Sequence, residues 1–577
     1  MLQRILVLEL RKRHDAFHDP SKQAPWFHSV PDPLPSGKYH PRVSMGARRC
    51  IRGLPSGSRV FIFAGQSNME GADSNKDHIQ RFPPFRGLDQ PQLDVPFWYC
   101  LGRENKNRSQ GWTTLQPVGS LVGPELSFAA HLKPELSGSL AIIKCAAGGT
   151  HLGGDWNPDQ PSGFKMYPLL LQEVREALGQ LTAQGVAYRL EGLVWHQGEN
   201  DMFVPEYMAR YGDHLIGFMD RLRQDLKAPQ LPVFIGELCT KTIWGMDLRP
   251  RMYAISQGQK KAAAVDKHAF YVRNAHVGVE MGQPVGLHYH YGTLGQLEQG
   301  VEFAEAYLRH LGKGRKGNPS LSKWPYKEGE TVRLFILAGH RNMEGEWAFV
   351  QDLESDDGAR DWRRPISEVA FKYTLGGGVW QSNGWEALSP AGLYGTFGPE
   401  VSFGHVMREA LSGPMGMLKV THSGSQIIDW TPEGSEAKDR HFYPVWIACI
   451  QEAVADLEAC GHPVDLAGVF YHLGENDMSF GPYRRQAVSR LKRLMEQTRA
   501  DLKAPELDWF VSQQPPTDQE ALNRLNVTAE LTELAAADPH LTHIKVFDLP
   551  QQDRLLIGTE GIVALGKRLA ETYLQSR

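Results

Sequence analysis

The chain carries the same pattern twice, and no other feature limits its architecture as sharply. Arg59-Val-Phe-Ile-Phe-Ala-Gly-Gln-Ser-Asn-Met-Glu-Gly71 returns as Arg333-Leu-Phe-Ile-Leu-Ala-Gly-His-Arg-Asn-Met-Glu-Gly345, which sets Ser67 and Arg341 274 positions apart. Gly123-Pro-Glu-Leu-Ser-Phe128 returns as Gly398-Pro-Glu-Val-Ser-Phe403, and Asp155-Trp-Asn-Pro158 as Asp429-Trp-Thr-Pro432. His196-Gln-Gly-Glu-Asn-Asp-Met202 returns as His472-Leu-Gly-Glu-Asn-Asp-Met478, and Asp225-Leu-Lys-Ala-Pro229 as Asp501-Leu-Lys-Ala-Pro505. Five blocks in one order at nearly one spacing identify a tandem duplication.

The 577 residues are enough for two sizeable cores. The stretch from Gly312 to Glu330, rich in Gly, Lys, Ser and Pro, reads as the link between them. This sets the first domain at 56–312, the linker at 313–330 and the second domain at 331–577. Residues 1–55 have no counterpart in the second copy and are dense in Pro, His, Arg and Lys, which predicts a loosely ordered extension.

Within the first copy, short apolar runs at Val60–Ala64, Leu140–Ile143, Gly192–Trp195 and Val233–Ile235 fit strands buried on both faces. Helical patterns alternate with them. One runs from Tyr167 to Leu181; another places Leu294, Leu297, Val301, Ala304 and Leu308 on one face. The alternation predicts an α/β fold in each copy, a mainly parallel sheet between helices, with its site at the carboxyl ends of the strands.

Ser67 lies directly after the first such strand, in Gly65-Gln66-Ser67-Asn68-Met69. A nucleophile at a strand-to-helix turn is exposed to substrate, and the surrounding N–H groups can face a developing oxyanion. A Ser in a glycine-containing turn is also an ordinary turn residue, so pattern alone leaves both readings open.

The block resembles the nucleophile motif of the SGNH-hydrolase superfamily, specifically the branch of sialate O-acetylesterases and family-six carbohydrate esterases (acetylxylan esterases). Four more blocks resemble that branch in order: Gly123-Pro-Glu125; Ala147-Gly-Gly-Thr150 followed by Trp156; Trp195-His-Gln-Gly-Glu-Asn-Asp201; and Gly286-Leu-His-Tyr289 before the helix with Gly295 and Gly300. The resemblance covers about residues 58–311 and, more faintly, 331–577. It implies two tandem three-layer α/β/α, flavodoxin-like domains and a serine esterase removing O-acetyl groups from a carbohydrate.

In that scheme His288 takes the Ser67 proton and returns it to the departing sugar hydroxyl. The oxyanion is held by the N–H groups of Ser67 and Gly149 and by the Gln197 side chain, each donor worth about 3 kcal/mol of barrier. Gln66, Asn68 and Trp156 are the implied substrate contacts. His290, two residues on, is a rival base, but only His288 falls where the family motif puts it. The family often orients its histidine with an Asp three residues earlier; here that position is Val285, which cannot accept the imidazole N–H. Glu199 is the alternative third member, although its persistence as Glu475 in the second copy also fits a structural role.

The second copy has lost the chemistry. Ser67 becomes Arg341, Gln66 becomes His340, Gln197 becomes Leu473, and with Gly300 set against Gly566 His288 falls opposite Arg554. An arginine is permanently protonated and cannot attack an acyl carbon. The second domain is thus expected to be non-catalytic. It is either a packing partner or a glycan-binding pseudoenzyme with Trp430 as a stacking platform and Arg341 reading a hydroxyl or carboxylate.

Other classes are disfavoured. A net charge of −4 with mixed signs offers no electrostatic footprint for nucleic acid, and no apolar run approaches the roughly 18 residues of a membrane span. The start, Met1 to Leu10 followed by Arg11-Lys-Arg13, does not read as a secretory signal, which leaves the compartment open. The six cysteines show no CxxC pair and the histidines no His-Glu-x-x-His spacing, so neither a metal nor a cofactor is implied. The competing functions are a non-catalytic glycan binder and an SGNH esterase of non-sugar acyl esters.

Overall fold

The computed structural model describes residues 57–105, 107–239, 242–243, 246–279, 290–353, 361–474, 477, 481–515, 527–550 and 556–577. The expected extension over residues 1–55 lies outside them. By its contacts Gly46–Arg577 is one compact unit containing both copies.

The first sheet is built around β1 (Ser58–Gly65), in which every residue but Arg59 is buried. Its side chains alternate between two cores, with Val60, Ile62 and Ala64 in one and Phe61 and Phe63 in the other. The further strands are β2 (Gln92–Leu101), β3 (Leu140–Ala146), β4 (Tyr188–His196), β5 (Val233–Gly236) and β6 (Ala269–Val272). They pair in the order β2-β3-β1-β4-β5-β6, all parallel, with short antiparallel strands beside β2. The sequence-predicted strands and helices fall inside observed elements. The strand β2 was not legible because Asp94 and Pro96 interrupt its apolar run.

One face is covered by α3 (Met166–Ala183), α4 (Tyr211–Asp225) and α5 (Arg249–Val265). The other is covered by α2 (Glu125–Leu132) and α6 (Gly292–His310). A one-turn helix, α1 (Ser67–Glu70), follows β1 at once.

The second copy repeats this. Its strands β7 (Val332–Gly339), β8 (Ile366–Leu375), β9 (Met415–Thr421), β10 (Val464–Leu473), β11 (Trp509–Gln513) and β12 (Leu541–Lys545) pair in the order β8-β9-β7-β10-β11-β12. The short helix α7 (Arg341–Glu344) follows β7 as α1 follows β1. In both sheets the strand order reverses at the central strand, and such a switch point leaves a crevice at the carboxyl end.

The two copies share a core. Trp347, Phe349 and Leu556 of the second belong to the apolar cluster of the first, and Phe82 meets Trp347 edge-on at 5.3 Å between centroids. The expected linker is docked rather than free: Leu321, Trp324 and Tyr326 pack on the second core, with Trp324 and Trp385 5.8 Å apart.

Candidate active site

The end of β1 can pack closely on β4 only because residue 65 is glycine: with φ +156°, an added Cβ would lie 1.9 Å from the His196 carbonyl oxygen. The close approach sets Ser67 at the switch point, as the first residue of α1. Ser67 is 5% exposed, and its hydroxyl has no hydrogen-bond partner among the described residues. The Ala147–Thr150 loop lies against it, since a Cβ on Gly148 would come within 3.2 Å of the Ser67 Cβ. Glu70 fixes that loop by accepting the Gly148 N–H at 2.8 Å. Burial raises the Glu70 pKa, partly opposed by this bond and by nearby Lys144. Gly149, at φ +73°, leaves no room for a side chain beneath the Arg103 guanidinium. The N–H groups of Ser67 and Gly149 have no acceptor among the described residues, as suits donors for a developing oxyanion.

Gln197 does not join them. Its side-chain nitrogen donates to Asp201 Oδ2 at 2.6 Å and to the Thr150 carbonyl at 3.0 Å, and a primary amide has two hydrogens. Both are committed inside the protein, so the expected third oxyanion donor is a structural residue. Asp201 also accepts the Leu152 and Gly153 N–H groups, which makes it the anchor of this loop.

The expected substrate contacts are corrected in the same way. Gln66 is fully buried; its Oε1 accepts from Gly198 and Asn200 N–H groups and its Nε2 donates to Asn200. Asn68 is fully buried, donating to Glu199 at 2.6 Å and accepting the Tyr291 N–H at 3.2 Å. Trp156 is fully buried and donates to Thr150 Oγ1 at 2.9 Å. These side chains shape the crevice from beneath. In the second copy Trp430 is equally buried and donates to Ser425, so it is no stacking platform.

Glu199 is brought to Asn68 and, at 3.4 Å, to His196 Nε2. Burial pushes its pKa up, but the hydrogen bonds from His196 and Asn68 outweigh that and leave it lowered. His288 and Val285 lie outside the described residues, as does Arg554. His290 is described: its Nδ1 lies 2.6 Å from Asp73 Oδ2, and Asp73 sits in the left-handed region at φ +60°. The His290 bond is the main reason the Asp73 pKa is lowered. The N–H of neighbouring Tyr291 on Asn68, and that of Asn75 on Thr293 Oγ1 at 2.8 Å, tie this segment to the turn that carries Ser67.

Several of these residues escaped the sequence reading. Lys144 is buried with Glu125 at 2.7 Å, which explains Gly-Pro-Glu as scaffold. The same pair recurs as Lys419 and Glu400 at 2.8 Å, so its recurrence could have found it. Asp73 and Arg103 left no such signal. Among the described residues no group of His, Cys, Asp and Glu could hold a metal ion, and no helix is long and apolar enough to cross a membrane.

A family model described as "Carbohydrate esterase, sialic acid-specific acetylesterase" matches residues 57–309 and again 331–575. A protein from Arabidopsis thaliana named as a probable carbohydrate esterase is 26% identical over 275 residues, covering 44% of this chain and 92% of its own. The X-ray structure of that Arabidopsis protein aligns with a TM-score of 0.33 at 21% identity, over 44% of this chain and 99% of the other. A carbohydrate acetylesterase from Xanthomonas citri aligns with a TM-score of 0.34 at 15% identity, over 47% of this chain and 61% of the other.

Proposed function

The chain belongs to the sialic acid-specific acetylesterase family of carbohydrate esterases and is a carboxylic ester hydrolase, and from that premise we propose that its first copy removes O-acetyl groups from a sialate- or xylan-type sugar through an acyl-enzyme on Ser67. The observation that carries this reading is a serine with an unengaged hydroxyl at the switch point, flanked by two N–H groups that nothing in the described protein takes. The Ser67 oxygen attacks the acetyl carbon, a histidine base takes its proton, and the tetrahedral oxyanion settles on the Ser67 and Gly149 N–H groups. The base returns the proton to the sugar oxygen as that bond breaks, and water then releases acetate by the same steps.

The family motif favours His288 as the base. A second reading takes His290, favoured by its bond to Asp73: a carboxylate on Nδ1 fixes the tautomer whose Nε2 carries the lone pair a base needs. In either case Glu199 acts at one remove, steadying Asn68 and His196. The second copy, without a nucleophile, takes no part in the chemistry.

The test is acetate release from 4-nitrophenyl acetate, acetylated xylan and O-acetyl sialic acid. Ser67→Ala is expected to lower kcat by about 1,000-fold or more; wild-type rates in that variant would end the proposal. Of His288→Ala and His290→Ala, the one whose loss matches that of Ser67→Ala is the base, and the better natural substrate names the sugar.

A further inference from the structure

Where the first copy has Ser67 and Ala72, the second has Arg341 and Glu346, and the two replacements form a buried ion pair. Arg341 Nε donates to Glu346 Oε2 at 2.7 Å, and both side chains are 4% exposed. The pair does not close on itself. Arg341 Nη2 also donates to the carbonyl of Val279, a residue of the first copy, at 3.0 Å. The N–H of adjacent Gly278 donates to Glu298 Oε2, on α6, at 2.6 Å. So a segment of the first copy, Gly278 and Val279, reaches the ion pair that stands where the second copy lost its nucleophile.

That segment leads back to the proposed active site through described contacts only. Val279 packs in one cluster with Val277, Cys239 and Tyr291. The Gly278 carbonyl lies so close to Gly295, in the first turn of α6, that a Cβ there would come within 2.0 Å. Tyr291 donates its N–H to Asn68, beside Ser67, and its hydroxyl meets His196 Nε2 at 2.8 Å. His290 is its immediate neighbour.

We infer that Arg341, standing where the second copy lost its nucleophile, is a positioning residue for the first copy: by holding the Val279 carbonyl it clamps Tyr291, and with it His290, onto the Ser67 turn. The degenerate repeat is then a built-in brace whose former active site binds its neighbour's backbone rather than a glycan. The inference rests on reading the first copy as a Ser67 esterase. A misplacement of about 1 Å in a catalytic base costs far more in rate than in substrate affinity, so the clamp acts on kcat rather than KM.

The experiment uses the full chain with 4-nitrophenyl acetate as probe. It compares Arg341→Lys and Arg341→Gln with Ser67→Ala and with Arg249→Lys. Arg249 is a buried contact between the copies, 3.6 Å from Asp429, and lies off the Val279 path. Folded Arg341 variants are expected to lose about tenfold in kcat with KM within roughly twofold, and to react more slowly at Ser67 with a fluorophosphonate, while Arg249→Lys keeps its kcat. Unchanged kcat in the folded Arg341 variants, or an equal loss in Arg249→Lys, would overturn the clamp. If neither Arg341 variant folds, Glu346→Gln, which leaves the arginine in place but loosens it, is read by the same split. Should Ser67→Ala keep wild-type activity, the esterase reading fails and the clamp with it; an inactive Ser67→Ala beside Arg341 variants of unchanged kcat overturns the clamp alone.

Discussion

At the ends of β1 and β7 one backbone carries two different contents. After β1 the first copy carries Ser67 and then Asp73, whose carboxylate is paired with His290. At the matching positions the second has Arg341, Trp347 and Leu556. The match is fixed by paired hydrogen bonds: Asn68 accepts the Tyr291 N–H as Asn342 accepts that of Ile557, and Thr293 accepts from Asn75 as Thr559 accepts from Phe349. Trp347 and Leu556 are buried in the core the copies share, so the polar pair of one crevice has become apolar packing in the other. Asn68, Glu125, Lys144 and Trp156, each with a buried partner, were kept, whereas Gln66 and Gln197, buried with partners of their own, became His340 and Leu473 together with the loss of Ser67, Asp73 and His290. The motif blocks therefore mix two kinds of residue that a single copy cannot separate.

The sharpest way to break this division is the buried Lys–Glu pair beneath each crevice. Lys144→Met and Lys419→Met each leave a carboxylate buried without its cation, and each is expected to cost about 4 kcal/mol in denaturant unfolding. The costs should be similar, because the pair serves the scaffold and not the chemistry. A cost near zero for Lys419→Met would mean the second copy retains the pair for some other reason.

Much of this was legible in the sequence. The duplication, the α/β alternation and the place of Ser67 follow from repeat spacing and apolar runs, and the family match agrees on the first and on the ester chemistry. What was not legible is the direction in which polar side chains point. Gln197, Gln66 and Asn68 carry groups suited to binding substrate, and only three-dimensional placement shows those groups committed to Asp201, Asn200 and Glu199. Asp73 and His290 are more than 200 positions apart, a distance no local motif spans.

An intermediate effect separates the copies by pH. His472 is fully buried, with Nδ1 2.8 Å from Ser512 Oγ and Nε2 3.1 Å from Gln514 Oε1; burial pushes its pKa down to about 4, against a smaller opposing pull from Gln514. Its counterpart His196 faces the carboxylate of Glu199 instead. The neutral His472 is favoured in the folded chain, so its contribution is full above the unfolded pKa of about 6.5 and is lost as pH falls from there toward 4, about 3 kcal/mol in all. His472→Gln should flatten unfolding free energy against pH across that window. A slope unchanged by the substitution would place the acid sensitivity elsewhere.

The smallest effect settles what the tryptophans do. Trp156 and Trp430 stand at matching places, each buried and each donating its indole N–H to a hydroxyl, Thr150 at 2.9 Å and Ser425 at 2.9 Å. Phenylalanine keeps most of the apolar area but abandons that donor, so either substitution is expected to cost about 2 kcal/mol of stability. If the tryptophans are scaffold, Trp156→Phe and Trp430→Phe should match in stability, and KM for O-acetyl sugar should stay within roughly twofold of wild type in both. A KM raised by about tenfold in Trp156→Phe alone would mean that the indole reaches substrate after all. The first copy would then have kept as a contact what the second keeps only as packing.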